Sequence, residues 1–312
     1  MNKIGVAVAI AIVSFTAVLA AADALPTEAE MKAAVDRGHA LREQKALVNE
    51  VLGKNAFVIK IGDVRCGHGL TTLEDAKGEN GATYRLIEES RSAMADDEGG
   101  VIVDYKGTYL LNNNLGLISG TLAWKNSVMS TADKSQQVHD EKCEFKVEKN
   151  ELKWNSTVGG KDMKDSVTLN GDAPIPQSIL SVLALFAEKN PAIFDKPVCV
   201  PELSPLNEQQ TFDIQPAWIT FEHPKDKPKS LKANIVHLLG DFDKQGMSLS
   251  PNSRWSAPQV FVMEGSTLTQ LPAAPAPGFS IEPIAPDKLA PDTALDLKKI
   301  ATAISGMAPQ KP

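Results

Sequence analysis

Along Cys143–Asn155 (CEFKVEKNELKWN), Phe145 and Val147 alternate with Lys146 and Glu148, and Leu152 and Trp154 alternate with Lys153 and Asn155. A period of two marks strands with one buried face. A two-residue loop at Lys149-Asn150 sets Val147 opposite Leu152 and Phe145 opposite Trp154, so both apolar pairs fall on the same face. On the other face Lys146 meets Lys153 and Glu148 meets Glu151. That repulsion costs roughly a few tenths of a kcal/mol, against roughly 0.2–1 kcal/mol gained per good cross-strand pair. The hairpin stands.

Strand patterns also fall at Ala56–Val64, Ala82–Glu89, Val101–Leu111, Leu117–Trp124 and Ser166–Asn170. In Val101–Leu111, Val101, Val103, Tyr105, Tyr109 and Leu111 share one face, while Asp104, Lys106 and Thr108 share the other. Ile118, Leu122 and Trp124 share a side of the next strand. A turn-rich break at Gly67–Gly69, the Asn80-Gly81 pair, an acidic turn at Asp96–Gly100 and Asn112–Asn114 punctuate the run. Long strands joined in succession by short turns predict an antiparallel meander with one wet face, not βαβ units. Lys196–Pro205 reads as Pro-rich and irregular. Further strands are expected near Thr211–Ile214, Trp218–Glu222, Leu231–Leu239, Gln259–Met263 and Thr267–Leu271.

Two helices flank the strands and one interrupts them. Thr27-Glu28-Ala29-Glu30 is a capping box opening a helix from about Glu28 to Leu52, with Met31, Ala34, Val35, Leu41, Val48 and Leu52 near one stripe and Gly38 and Lys45 interrupting it. Gln177–Lys189 (QSILSVLALFAEK), with Pro176 at its first position, is apolar on nearly every side. At about 20 Å it is too short to span a bilayer, so it should be buried, here against the concave side of a bent sheet. From Pro272 the composition turns to Pro and Ala, a strap outside the packed core. A last helix follows, capped by Asp292 or Thr293, with Leu297, Ile300 and Ile304 on one face and Gly306 at its end.

Ahead of these, Lys3 precedes the apolar run Ile4–Leu19 and the small residues Ala20, Ala21 and Ala22, the layout of a cleavable export signal. The expectation is an exported protein, periplasmic or extracellular, with no transmembrane segment after cleavage. The net charge of −7 argues against a nucleic-acid role, which needs a basic face, and against attachment to anionic lipid. Three cysteines in an oxidising compartment suggest one disulfide and one thiol. Cys66–Cys143 is the favoured pair, since both sit at predicted strand edges.

Motif chemistry is sparse. Cys66-Gly67-His68 with His139-x-x-x-Cys143 has zinc-type ligands, but only if two strand ends meet and both thiols stay reduced; a disulfide with two surface histidines is the competing account. Asp241–Gly246 has positions 1, 3 and 6 of a calcium loop, yet Asn252 stands where a bidentate Glu is needed, so a hairpin turn is expected. Ser119-Gly120 lacks the strand–turn–helix setting of a nucleophile elbow and reads as a bulge or close packing. Glu88 and Glu89 are adjacent on a strand and point to opposite faces, so they cannot pair for acid–base work. Asn155-Ser156-Thr157 is a glycosylation sequon only in a source that glycosylates exported proteins.

The pattern therefore predicts a mainly β (α+β) fold: a large curved antiparallel sheet or half-barrel cupping one apolar helix, with peripheral N- and C-terminal helices. The organisation is a signal at 1–22, an N-terminal helix at 27–53, a β domain at 56–271 curling as a single layer around an inserted helix at 176–189, and the strap and C-terminal helix at 272–312. As a fold only, this resembles bacterial envelope carriers that hold lipid or lipoprotein acyl chains. The leading expectation is a non-catalytic envelope protein, calling for no cofactor or metal, that binds a lipid or other apolar molecule. The residues expected to line that site are Ile179, Leu180, Leu183, Phe186, Tyr105, Tyr109 and Trp124. The alternatives are an adaptor docking a protein partner through its terminal helices and, third, a hydrolase or metal-dependent enzyme.

Overall fold

The structure, a computed structural model, describes residues 25–44, 52–130, 136–169, 171–204, 212–223, 225, 230–239, 254–256, 259–264, 278–290 and 294–307. The expected signal, the calcium-like loop, the Thr267–Leu271 strand and the Asp292/Thr293 cap lie outside the described residues.

Nine strands form one antiparallel sheet: β1 (Gly53–Ile61), β2 (Val64–Asp75), β3 (Tyr84–Ala95), β4 (Gly99–Leu111), β5 (Leu117–Ser130), β6 (Gln136–Glu148), β7 (Glu151–Val158), β8 (Lys161–Thr168) and, from far down the chain, β15 (Phe279–Ile284). Their order is β15-β1-β2-β3-β4-β5-β6-β7-β8, with β15 and β8 at the two edges, so the sheet does not close into a barrel. The predicted hairpin register is found, with Phe145 opposite Trp154 and Val147 opposite Leu152. Lys149 takes a positive φ of 57° to make the turn. The like charges on its outer face are relieved diagonally: Glu148 lies 3.1 Å from Lys146 and 3.3 Å from Lys153.

Several expectations need correction. Gly67–Gly69 is no break but lies within β2; the turn falls at Gly62-Asp63, where Gly62 adopts φ 55°. Ile118 leaves the Leu122 and Trp124 face, because a register shift after Leu110 makes it the extra residue, and it packs outside with Ala76, Ala82 and Leu110. The helix expected to run to Leu52 ends at Arg42 (α1, Glu28–Arg42) with its capping box in place. Part of the Pro/Ala strap enters the sheet, since β15 pairs with β1 from Ala56↔Ile284 to Ile61↔Phe279.

The larger correction concerns the single layer. A second sheet, order β13-β12-β11-β10-β9 with β14 paired to β12, is built from β9 (Ile175–Pro176), β10 (Val198–Ser204), β11 (Asp213–Glu222), β12 (Ser230–Leu239), β13 (Arg254–Trp255) and β14 (Gln259–Glu264). β10 is the strand hidden in the supposedly irregular segment, because its prolines mask it. Pro201 and Pro216 stand opposite each other. Proline has no amide to donate, and the neighbouring ladders begin only at Glu202 and Ala217, so no bond is missed there.

The apolar helix, α2 (Ile179–Glu188), lies between the two sheets. It begins after Pro176, which belongs to β9, and Ser178 occupies its N-cap. Ile179, Leu180, Val182, Leu183, Ala184, Leu185, Phe186 and Ala187 are all buried in one cluster with both sheets. A short helix, α3 (Pro191–Phe194), follows. Outside this interior, α1 packs on the far face of β10. Gly38 makes that approach: a Cβ there would stand 2.2 Å from the Cys199 carbonyl oxygen. Buried Arg42 at its end donates to the carbonyls of Asn114 and Ala173, both at 2.9 Å, and pairs with Asp172. The C-terminal helix α4 (Leu297–Met307) covers Cys66, Ala93 and Ile102 on the outer face of the nine-stranded sheet. Asp296 caps it through the Lys299 amide at 3.1 Å.

Candidate functional site

Alternation along β3 to β6 assigns each side chain to a face. Tyr84, Leu86, Glu88, Ser90, Ser92 and Met94 on β3 point inward, and the register aligns them with Tyr105 and Val103 on β4, Trp124 and Asn126 on β5, and Glu141 and His139 on β6. The first part of this inner face is roofed by α2 and the second sheet. The rest continues into a shelf where Ser90, Ser92, Tyr105, Val101 and Val128 are half-buried, Val103 and Trp124 are buried, and Met94 is 53% exposed.

All seven residues expected to line the apolar site fall in this interior. Ile179, Leu180, Leu183, Phe186, Tyr109 and Trp124 belong to the main core cluster, and half-buried Tyr105 packs against it. Tyr105 lies 5.9 Å from Trp124 and Tyr109 5.8 Å from Phe145, centroid to centroid. Phe212 closes one side edge-on, 5.2 Å from Phe145 and 5.3 Å from Trp154. Two glycines let these rings lie flat on the sheet. A Cβ on Gly120 would meet the Phe145 ring, and one on Gly107 would meet Tyr105 and Tyr109. The close-packing reading of Gly120 holds; its neighbour Ser119 lines the outer face.

At the boundary between roofed core and shelf sits a polar knot. Glu88 Oε1 accepts a bond from Ser178 Oγ at the N-cap of α2, and its Oε2 lies 3.2 Å from Tyr105 Oη and 3.3 Å from Tyr109 Oη. The two hydroxyls are 2.7 Å apart. Burial raises the Glu88 pKa, and the three hydroxyl bonds only partly oppose it. Burial foremost, with Glu88 adding to it, carries both tyrosines well above their ordinary range; their mutual hydrogen bond raises Tyr105 further and partly opposes the rise of Tyr109. Burial thus shifts the balance at Glu88 toward its neutral form. Glu89 points the other way and pairs with Lys106 at 2.6 Å, as the alternation requires. Glu88 itself was readable as a carboxylate on the same strand face as Tyr84 and Leu86, but its partners Ser178 and Tyr109 come from distant parts of the chain.

The expected disulfide is absent: Cys66, Cys143 and Cys199 are all free and buried. They stand in three different clusters, Cys66 under α4, Cys143 in the interior and Cys199 under α1. Three strands separate β2 from β6, so Cys66 and Cys143 cannot meet. Burial pushes their thiols to about 11, about 12 and about 12 respectively. The same separation dismantles the zinc set, and among the described residues no His/Cys/Asp/Glu group could hold a metal. His68 instead lies buried on the outer face opposite Arg91. Burial foremost, then Arg65 and Arg91, lowers its pKa to about 4. A second buried pair, His237 Nε2 and Glu202 Oε2 at 2.8 Å, crosses the inner face of the second sheet over Ala217. A hollow of about 640 Å³ on the outer face of β4–β7 has a mixed lining, with Thr108, Thr121, Glu144, Lys146 and Lys153 beside Leu110, Phe145 and Trp154.

No family model matches the chain, and no curated relative matches it. Among solved structures, a β-barrel-like protein of the domain of unknown function DUF1849 from Brucella abortus is similar at 9% identity, covering 74% of this chain and 93% of that one with a TM-score of 0.39. A porin-like protein from Bacteroides uniformis is similar at 13% identity, covering 68% and 97%, with a TM-score of 0.16. Among the described residues no helix is long and apolar enough to cross a membrane.

Proposed function

We propose that this is an exported, non-catalytic binding protein that takes an apolar ligand on the inner face of its large sheet, with the chain end of the ligand against the α2 cluster. The observation that carries the reading is the shelf itself. The interior surface runs on past α2 with Val101, Val103, Val128, Tyr105 and Trp124, and ends at exposed Met94. Ligand sites are characteristically apolar walls with a few placed polar groups, and the Glu88 knot supplies those at one end. Export is supported by the apolar run behind Lys3. The adaptor alternative is less well supported, because α1 and α4 turn their apolar faces onto the two sheets: Met31, Ala34, Leu41 and Ile300 are fully buried there.

The test uses delipidated protein and an environment-sensitive apolar probe such as N-phenylnaphthylamine. Saturable enhancement that falls when Met94 and Val101 are both replaced by glutamate supports the site. Enhancement untouched by those changes, or none at all, removes it.

A further inference from the structure

The shelf holds polar atoms that its own fold leaves unanswered. Trp124 is 6% exposed, and its indole N–H is buried without a hydrogen-bond partner. One pleat further along β5, on the same inner face, the Asn126 side-chain oxygen is likewise buried and unpartnered. A donor and an acceptor thus lie side by side next to Tyr105. An unmet buried N–H or C=O is uncommon in a folded chain, and each is destabilising unless something bonds to it.

Charge narrows what that something can be. Every Lys and Arg of β3 to β6 falls on the outer face: Arg85 pairs with Glu74, Arg91 with Asp104, Lys106 with Glu89 and Lys146 with Glu148, while Lys125 and Lys142 share their parity. The inner face of these strands carries carboxyl groups instead, Glu88 and Glu141. The described part of α2 bears no cation up to Glu188. An anionic head would therefore meet two carboxyl groups and no lysine or arginine, with His139 opposite Asn126 as the one basic side chain on the inner face of these strands.

We infer that the ligand's polar end is uncharged and carries both a hydrogen-bond acceptor and a donor, as in a long-chain alcohol, an acylglycerol or a primary amide, the acceptor taking the Trp124 N–H and the donor reaching the Asn126 oxygen. This rests on the reading that the shelf takes an apolar ligand. A fatty-acid carboxylate satisfies Trp124 but offers nothing to Asn126 and brings a charge beside Glu88 and Glu141. A methyl ester accepts only.

The experiment displaces the apolar probe from the full-length mature protein with ligands of one chain length at mildly alkaline pH, where laurate is ionised. Lauryl alcohol and lauramide should compete at least about tenfold more tightly than laurate, with methyl laurate between them. Trp124→Phe should reduce the alcohol's advantage over methyl laurate little and weaken both, whereas Asn126→Leu should erase it. Circular dichroism and the melting transition of each variant keep loss of fold apart from loss of a contact. Laurate or dodecylammonium binding as tightly as the alcohol overturns the neutral-head inference while leaving the apolar site standing. Failure of every compound to displace the probe overturns the site as well.

Discussion

Replacing Glu88 by alanine and by glutamine separates its two contributions. Tyr105 and Tyr109 have one hydroxyl proton each, and the 2.7 Å contact between them uses one. Only one proton is then left for Glu88 Oε2, so the two longer contacts of 3.2 and 3.3 Å count as a single bond at any moment. With Ser178 on Oε1, alanine removes two hydrogen bonds and strands two buried hydroxyls. At about 1–2 kcal/mol each, the expected loss is about 2–4 kcal/mol. Glutamine keeps an acceptor for one hydroxyl and a donor for the other, so it should lie within about 1 kcal/mol of the wild type where Glu88 is protonated. The sign of the pH dependence follows from the raised pKa. The group's contribution is complete below its unfolded pKa of about 4.3 and is lost as pH rises through the folded value. Glutamine does not titrate, so its stability should gain on the wild type as pH climbs from about 4 to 8. Urea denaturation across that range measures both effects. An alanine variant within about 0.5 kcal/mol of the wild type, or a glutamine-to-wild-type gap that stays flat with pH, would refute the proposed knot.

Gly38→Ala should destabilise the protein by about 1–3 kcal/mol in urea denaturation, because the new Cβ meets a backbone carbonyl at 2.2 Å; the roughly 1 kcal/mol gain in helix propensity does not offset that, and a stabilised variant would contradict the packing of α1. Intact mass of the protein under non-reducing conditions should correspond to three thiols, reacting with an alkylating agent only slowly until the protein is unfolded, since burial holds them at about 11 to 12; a mass lower by two protons would establish a disulfide instead. His68, with a folded pKa of about 4, should show neutral imidazole NMR shifts at pH values where free histidine is charged. Its contribution to stability is complete above the unfolded pKa of about 6.5 and is lost as pH falls toward the folded value. His68→Phe should flatten that acid loss, by an amount on the order of 3 kcal/mol at most; an unchanged profile would count against the buried neutral ring.

Most of the large sheet was legible because strands such as β4, β5 and β7 alternate buried with exposed positions, and period two is a signal that survives without any tertiary context; β2, with its glycines, and β15, in the Pro/Ala segment, were not. Phe145–Trp154 could be paired by counting outward from Lys149-Asn150. In the second sheet β11, β12 and β14 were legible as strands, but β10 and the division into two sheets were not, for a local reason and a global one. Locally, Pro197, Pro201 and Pro205 flag β10 as loop, and only the opposing Pro216 on β11 shows why the prolines are harmless. Globally, β10 to β12 are covered on both sides, by α2 within and α1 without. Trp218 and Cys199 therefore alternate with Ile219 and Val198 as apolar against apolar, and the contrast that would assign each face to a layer disappears. The disulfide failed similarly. Strand edges were visible in the sequence, but which cluster each cysteine enters depends on where α1 and α4 dock.

The parity of charges carries the argument further than the strand boundaries do. Arg85, Glu89, Arg91, Asp104, Lys106 and Lys125 all occupy the outer parity of their strands, and Glu88 is the one charged exception on β3 to β5. A charge on the wet face is unconstrained, whereas one on the buried face must be bonded or neutralised. Glu88 satisfies both conditions, through Ser178 and the tyrosines and through its raised pKa. Trp124 and Asn126 occupy the same face, one and two pleats beyond it, without that compensation. An interior that bonds Glu88 to three hydroxyl groups yet leaves an adjacent donor and acceptor unmet is one that the proposed neutral polar head would complete.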